Sequence, residues 1–262
     1  MATFINLDLQ MVDIAAIGAD ASLFDEKNFA DRAQALDGLE DYLMAGDDGP
    51  LGRKAADLRR ALEDVDAALF QKLRERIRNG ECRGKAFREM VAEYVKIDYE
   101  ESGYDHLDLF INRLLSVQEM PMPTLELEPE MVEFYKTPAR IVFGWIDRIG
   151  FPADAVFYDV GAGLGQVVLL VHLLTGIRAR GVEIEPAYCD YARDCAGGLG
   201  LQDVDFICAD ARNADLSDGT IFFLYTPFRG AMLKSVLDRL KALSESKSIE
   251  VLTYGPMASL GN

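Results

Sequence analysis

The segment Val156–Pro186, VFYDVGAGLGQVVLLVHLLTGIRARGVEIEP, reads as strand, glycine turn, helix and strand, the order of a parallel βαβ unit. Val156, Phe157 and Tyr158 carry the β-branched or aromatic side chains that suit a pleated backbone, and they lead to Asp159. Gly161-Ala162-Gly163-Leu164-Gly165 then lets the chain turn tightly into an apolar helix from Gln166 to Thr175, which Gly176 closes. A second strand covers about Arg178 to Val182, with Glu183 at its end. Glu183 follows Gly161 by 22 positions, where a unit of this kind presents an acidic side chain to ribose hydroxyls.

Spacing separates two cofactor classes. A dinucleotide fingerprint, G-x-G-x-x-G, needs its third glycine at position 166, but that residue is Gln166 and the glycines follow G-x-G-x-G. Asp159, two residues before Gly161, adds a carboxylate that would repel a pyrophosphate and attract the ammonium of an amino-acid moiety. The pattern therefore favours S-adenosylmethionine over NAD. The alternative, which Glu183 disfavours, is that the glycines only make a tight strand-to-helix connection.

These residues carry a resemblance. The sequence resembles the class I, seven-stranded S-adenosylmethionine-dependent methyltransferases, over about Tyr135 to Gly255. DVGAGLGQVVL followed by GVEIEP looks most like the branch that includes the disruptor-of-telomeric-silencing histone lysine methyltransferases and their bacterial relatives. The resemblance implies that Asp159, Gly161, Gly163 and Gln166 line the methionine side of the cofactor. Glu183, with Ile184 beside it, would bind the ribose, and Asp210-Ala211 would grip the adenine amino group. A solvated turn would also account for Asp210. In the resembled family a Tyr-x-x-Thr-like segment closes over the cofactor; Tyr135 and Thr137 stand one position closer together than that, and capping and packing of the next helix explains them equally.

The expected fold is α/β, a Rossmann-like doubly wound and mainly parallel sheet. VDFICAD forms a third strand that carries Asp210 to the same carboxyl edge as Asp159 and Glu183, where open α/β sheets bind ligands. A fourth strand, Thr220 to Leu224, ends in Tyr225-Thr226-Pro227-Phe228, reminiscent of the Asn-Pro-Pro-Tyr type motif with which many class I enzymes hold a nitrogen for methylation. Here Tyr225 replaces the leading residue. A tyrosine beside a backbone-fixing proline, with Phe228, could hold a flat or cationic acceptor by stacking or cation–π attraction, and these four are the candidate catalytic residues. Ordinary strand-end packing is the rival account. A helix from Gly230 to Leu243 and a fifth strand from Ile249 to Tyr254 follow. Six residues after Pro256 are too few for the usual sixth and seventh strands, so either the chain is cut short or the sheet is short there. The edge would be covered by the N-terminal helices or by a second subunit, as in a homodimer.

Upstream, apolar residues recur at helical spacing over Asn28 to Met44, Leu58 to Ile77, Lys85 to Val95 and Tyr104 to Leu115. Pro121, Pro123 and Pro129 mark a change of regime. The reading is a helical N-terminal domain over 1–115, a linker over 116–130 and a methyltransferase domain over 131–262. Thr137 is expected to cap a helix with Pro138 in its first turn.

Charge narrows the partners. Lys and Arg total 27 against 44 Asp and Glu, a net charge of −17 that argues against nucleic acid as a partner, since such binders neutralise phosphates. A small molecule or a protein is the expected methyl acceptor, with an amine nitrogen favoured. A catalytically silent cofactor-binding module and an NAD-dependent oxidoreductase are the alternatives. Cys82, Cys189, Cys195 and Cys208 lack CxxC spacing, so no metal site is expected, and the last three read as buried thiols of a reducing compartment. His172, inside an apolar helix, reads as core. The first residues lack the basic n-region of a signal peptide and no apolar run reaches membrane length, so the chain is expected in the cytoplasm.

Overall fold

The computed structural model describes residues 13–100, 103–225 and 228–255. Five strands form one sheet in the order β3-β2-β1-β4-β5: β1 (Val156–Val160), β2 (Arg178–Glu183), β3 (Val204–Cys208), β4 (Ile221–Leu224) and β5 (Glu250–Thr253). All four pairings are parallel. This is the doubly wound α/β fold expected from the sequence, and its strand order reverses between β1 and β4, the place where such sheets bind ligands. β1 is buried along its whole length. Its side chains are covered on both faces of the sheet, which explains why its sequence is nearly continuous in apolar residues.

Local chemistry sets the helix ends. Helix α7 (Gln166–Thr175) starts at Gly165, whose φ of 80° is left-handed. A Cβ there would lie 2.6 Å from the Phe206 ring, so this glycine lets helix and sheet approach. Helix α8 (Pro186–Gly198) begins with Pro186 in its first turn and Glu185 as N-cap. Gly197-Gly198 do not stop it. They are its last helical residues, and the stop comes at Gly200 (φ 67°), where the Gly200 and Leu201 amides close back on Gly197 and Ala196 in a Schellman arrangement.

Helix α6 (Ala139–Ile149) corrects another expectation: Pro138, not Thr137, is the N-cap residue, and no local side chain caps it. A proline has little to offer a helix N-terminus as acceptor. Instead Asp108, from helix α5 (His106–Leu115), accepts the Ala139 amide at 2.7 Å while also closing the capping box of its own helix on the Asp105 amide at 3.1 Å. Burial pushes the Asp108 carboxyl upward against these bonds. The last helix, α9 (Gly230–Ser244), is likewise capped from afar, its Ala231 and Met232 amides donating to Glu130.

Contacts divide the described chain into two compact units, residues up to Lys72 with Glu93–Val95, and Leu73–Ala92 with residues from Lys96 onward. This grouping differs from a break at 116–130. Helices α4 (Lys85–Ala92) and α5 pack on α7, and α5 also on α6, because Phe87, Leu107, Phe110 and Ile111 bury their side chains completely. The first unit contains α1 (Ile14–Ala19), α2 (Phe29–Met44) and much of α3 (Pro50–Arg78). Its core joins Ile14, Leu23, Leu36, Leu39, Ala55 and Leu62. Within it Arg32 is wholly buried and donates to Asp66 at 2.6 Å and to the carbonyls of Leu23 and Asp25. Among the described residues no helix is long and apolar enough to cross a membrane.

Candidate active site

A cavity of about 740 Å³ opens at the carboxyl edge of the sheet. Strand register explains why the carboxylates meet there: Asp159 pairs with Gly181 on one side and Phe223 on the other, and Glu183 pairs with Cys208, one strand further out. Parallel strands end on the same side, so Asp159, Glu183 and Asp210 all line the one cavity. Of the other expected residues, Tyr135, Thr137, Gly161, Gln166, Ile184, Ala211, Tyr225 and Phe228 line it too. Thr226 and Pro227 lie outside the described residues.

The three carboxylates differ sharply in state. Asp159 is buried, 3% exposed, and no hydrogen bond among the described residues reaches its carboxyl. Burial first, and repulsion from Glu183 second, push it up to about 8. Glu183 is instead fully engaged: its carboxylate accepts the Gly163 amide at 2.8 Å, Ile184 at 2.8 Å and Glu185 at 2.9 Å. It therefore ties the glycine turn after β1 to the loop after β2. Asp210 accepts the Arg212 guanidinium at 2.8 Å and the Arg212 amide at 2.8 Å, an Asx turn reinforced by an ion pair that holds its carboxyl below the usual range.

Gly163 stands apart from the cavity-lining residues. Its φ is +52°, and a Cβ there would lie 2.2 Å from Phe134 Cε2, so the Phe134 ring rests directly on the turn. Phe134 in turn packs on Tyr188 with ring centroids 5.5 Å apart, and both line the cavity. Neither was singled out as a site residue from sequence. Tyr188 lies on α8, but Phe134 lies in irregular chain without periodicity to reveal it.

The other residue missed is Glu185. Its side chain is buried, accepts the Thr124 hydroxyl at 2.7 Å and the Thr124 and Leu125 amides at 2.8 Å each, and caps Ala187 at 3.0 Å. Burial opposes its ionisation, but these bonds together outweigh burial and hold the carboxyl below its ordinary value. The Glu-Pro pair at the start of α8 is the sequence signal for its capping part. Its latch on Thr124 and Leu125 has none. Through it, the segment expected as a linker becomes a cavity wall: Met120, Leu125, Leu127 and Glu128 all face the space. The far end of this segment is also fastened, by Arg212 to Glu128 at 3.0 Å and by the bridge of Met131 with Phe228.

At the β4 tip, Tyr225 packs on Tyr254 with centroids 5.0 Å apart. Burial, then the nearby Tyr254 and Tyr135, raise its phenol above the ordinary value, so it presents a neutral ring. Tyr135 is 62% exposed at the cavity wall, while Thr137 is buried and its carbonyl accepts Gln166 Nε2 at 3.3 Å. His172 is core, as expected, with Nδ1 2.8 Å from the Ile177 carbonyl. Cys208 departs from expectation: it is exposed, because β3 is the sheet's outer strand.

Part of the chain is similar to several solved methyltransferases. An RNA methyltransferase from Salinibacter ruber in complex with S-adenosyl-L-homocysteine is 29% identical over 45% of this chain and 76% of that one, with a TM-score of 0.37. Precorrin-6y C5,15-methyltransferase from Geobacter metallireducens GS-15 is 22% identical over 49% of this chain and 68% of that one, at a TM-score of 0.41. Geranyl diphosphate C-methyltransferase from Streptomyces coelicolor A3(2) is 19% identical over 43% of this chain and 42% of that one, at 0.35. No family profile matches the sequence, and no curated protein sequence does.

Proposed function

We propose that the cavity binds S-adenosylmethionine and that the protein is a class I methyltransferase acting on an amine nitrogen. One observation carries this reading: a buried carboxyl that no described residue hydrogen-bonds, Asp159, sits at the tip of the central strand in a cavity it shares with Glu183 and Asp210. An uncompensated carboxyl of this kind is completed by a cation, and the amino-acid end of the cofactor provides one. Gly161, Gln166 and Thr137 would flank that end, Glu183 and Ile184 the ribose, and Asp210 and Ala211 the adenine. The finer kinship, with the disruptor-of-telomeric-silencing branch, rests on the motifs DVGAGLGQVVL and GVEIEP.

The cofactor supplies an electrophilic methyl carbon on a sulfonium. The chain's own contribution is to bind, orient and exclude water. Asp159 holds the cationic end, Phe134 and Tyr188 wall the site with apolar rings, and the segment latched by Glu185 shields it. Tyr225 and Phe228 offer ring faces for the acceptor, which suits a cationic or flat group. Residues 225–228 contain neither carboxylate nor imidazole, which agrees with an amine that loses its proton to solvent and needs no base from the chain. The acceptor is a small molecule or a protein, since a net charge of −17 disfavours nucleic acid.

Calorimetric titration with S-adenosylmethionine, S-adenosylhomocysteine and NAD tests the reading. The first two should bind and NAD should not; binding of NAD alone would overturn it. Transfer of a labelled methyl group to fractions of a cell lysate, repeated after acetylation of their amines, tests the acceptor. Transfer that survives acetylation would refute the amine, and cofactor binding with no transfer to any fraction would mark a silent binding module.

A further inference from the structure

Two of the four cysteines meet behind Glu183. Cys208 ends β3 and is the register partner of Glu183 on β2, while Cys189 lies in the first turns of α8. The Cys189 thiol donates to the Glu183 carbonyl at 3.3 Å, and the Cys208 thiol donates to the Ile184 carbonyl at 4.0 Å. Because those two carbonyls are consecutive, the two thiols are held as neighbours at the end of β2. Both therefore brace the same dipeptide, Glu183-Ile184, which lines the cavity.

Their surroundings differ in a way that assigns roles. Cys189 is wholly buried and Cys208 is exposed. Burial, then the neighbouring Cys208, raises the Cys189 thiol well above its ordinary value. Exposure therefore puts Cys208 first in the path of a reagent from solvent, and Cys189, kept as the thiol by its burial, reacts only once an electrophilic sulfur has formed beside it.

We propose that Cys189 and Cys208 form a peroxide-responsive thiol pair whose disulfide deforms the Glu183-Ile184 edge of the cavity and weakens ligand binding there. The Cys208 sulfur attacks hydrogen peroxide, the O–O bond breaks, and one water leaves with the thiol proton, giving the sulfenic acid. The Cys189 sulfur then displaces the hydroxyl from that sulfur, and its own proton leaves with it as the second water. Two thiols lose two electrons and one peroxide is reduced to two waters. The new S–S bond, about 2.05 Å long, pulls α8 toward the end of β3. It also removes the proton that Cys189 donates to the Glu183 carbonyl, which keeps the Ala209 amide at 2.9 Å.

The consequence for affinity rests on the cofactor reading above; the disulfide does not. The full chain is treated with hydrogen peroxide, mapped by non-reducing peptide mass spectrometry, and titrated with S-adenosylhomocysteine. The expected result is a linked Cys189–Cys208 peptide about 2 Da lighter than the sum of its thiol forms, reversed by dithiothreitol. Affinity should fall by about ten-fold in the oxidised protein, and Cys208→Ser should abolish both effects. Absence of the linked peptide, over-oxidation of Cys208 alone, or a linked peptide with unchanged affinity would each overturn the proposal. Should the reduced protein fail to bind S-adenosylhomocysteine, the cofactor reading falls and the peptide map still decides whether the pair forms.

Discussion

Asp159→Asn removes the charge-bearing group that burial has raised furthest within the cavity, to about 8 from 3.8. At pH 7 a carboxyl of that pKa is protonated in about nine of ten free molecules, whereas a bound ammonium selects the ionised form. Binding at pH 7 should thus expel about 0.9 proton. Below pH 8 the affinity of the wild-type chain should fall about ten-fold per unit, so that pH 6 is about 90-fold weaker than pH 9, or about 2.7 kcal/mol. The ligand's own amino group titrates near pH 8 as well, so the quantity to read is the ratio of wild-type to Asp159→Asn affinity, in which that titration cancels. Calorimetry with S-adenosylhomocysteine from pH 6 to 9, in two buffers of different ionisation enthalpy, measures both ratio and proton release. A ratio independent of pH, with no proton released, would refute the electrostatic argument. Stability provides the sign control. With its folded pKa raised, Asp159 contributes stability that is present below 3.8 and lost as pH rises through about 8. The ligand-free Asn variant should therefore melt higher than wild type at pH 9, and the advantage should vanish below pH 4.

Three further changes probe the scaffold. Gly163→Ala introduces a Cβ 2.2 Å from Phe134 at a φ of +52°, and should weaken S-adenosylhomocysteine binding while costing, in urea unfolding, more than the about 1–2 kcal/mol of the left-handed backbone alone. Adding Phe134→Ala should relieve the clash and leave the backbone strain, so complete recovery of stability would contradict this account. Glu185→Gln should speed hydrogen exchange at Thr124 and Leu125, whose amides it holds at 2.8 Å. Because its carboxyl is held low, the latch is present at neutral pH and lost as pH falls through the folded value, so variant and wild type should converge in acid. Arg32→Met leaves Asp66 buried without its guanidinium partner and should destabilise the helical unit by about 3–5 kcal/mol; a loss under about 1 kcal/mol would show the pair to be dispensable.

Much of the candidate site's geometry was legible because it is local. The order of apolar runs, the three glycines and the acidic residues near strand ends placed Asp159 and Glu183 on parallel strands and Asp210 just beyond a third, and parallel strands end on one side. Contacts that join distant parts of the chain left no such trace. Asp108 capping α6, Glu130 capping α9 and Glu185 latching Thr124 each join residues 31 or more positions apart, and no periodicity encodes them. For the same reason the proline-rich stretch read as a linker, although its Leu125 and Leu127 face the cavity.

The chain by itself determined the α/β class and which carboxylates end its strands, since hydrophobic period and glycine placement act within a few residues. Only the tertiary structure decided what each carboxylate does. Protonation and hydrogen bonding depend on what packs around a group: the same side-chain type is uncompensated at Asp159, spent on backbone amides at Glu183 and paired with Arg212 at Asp210.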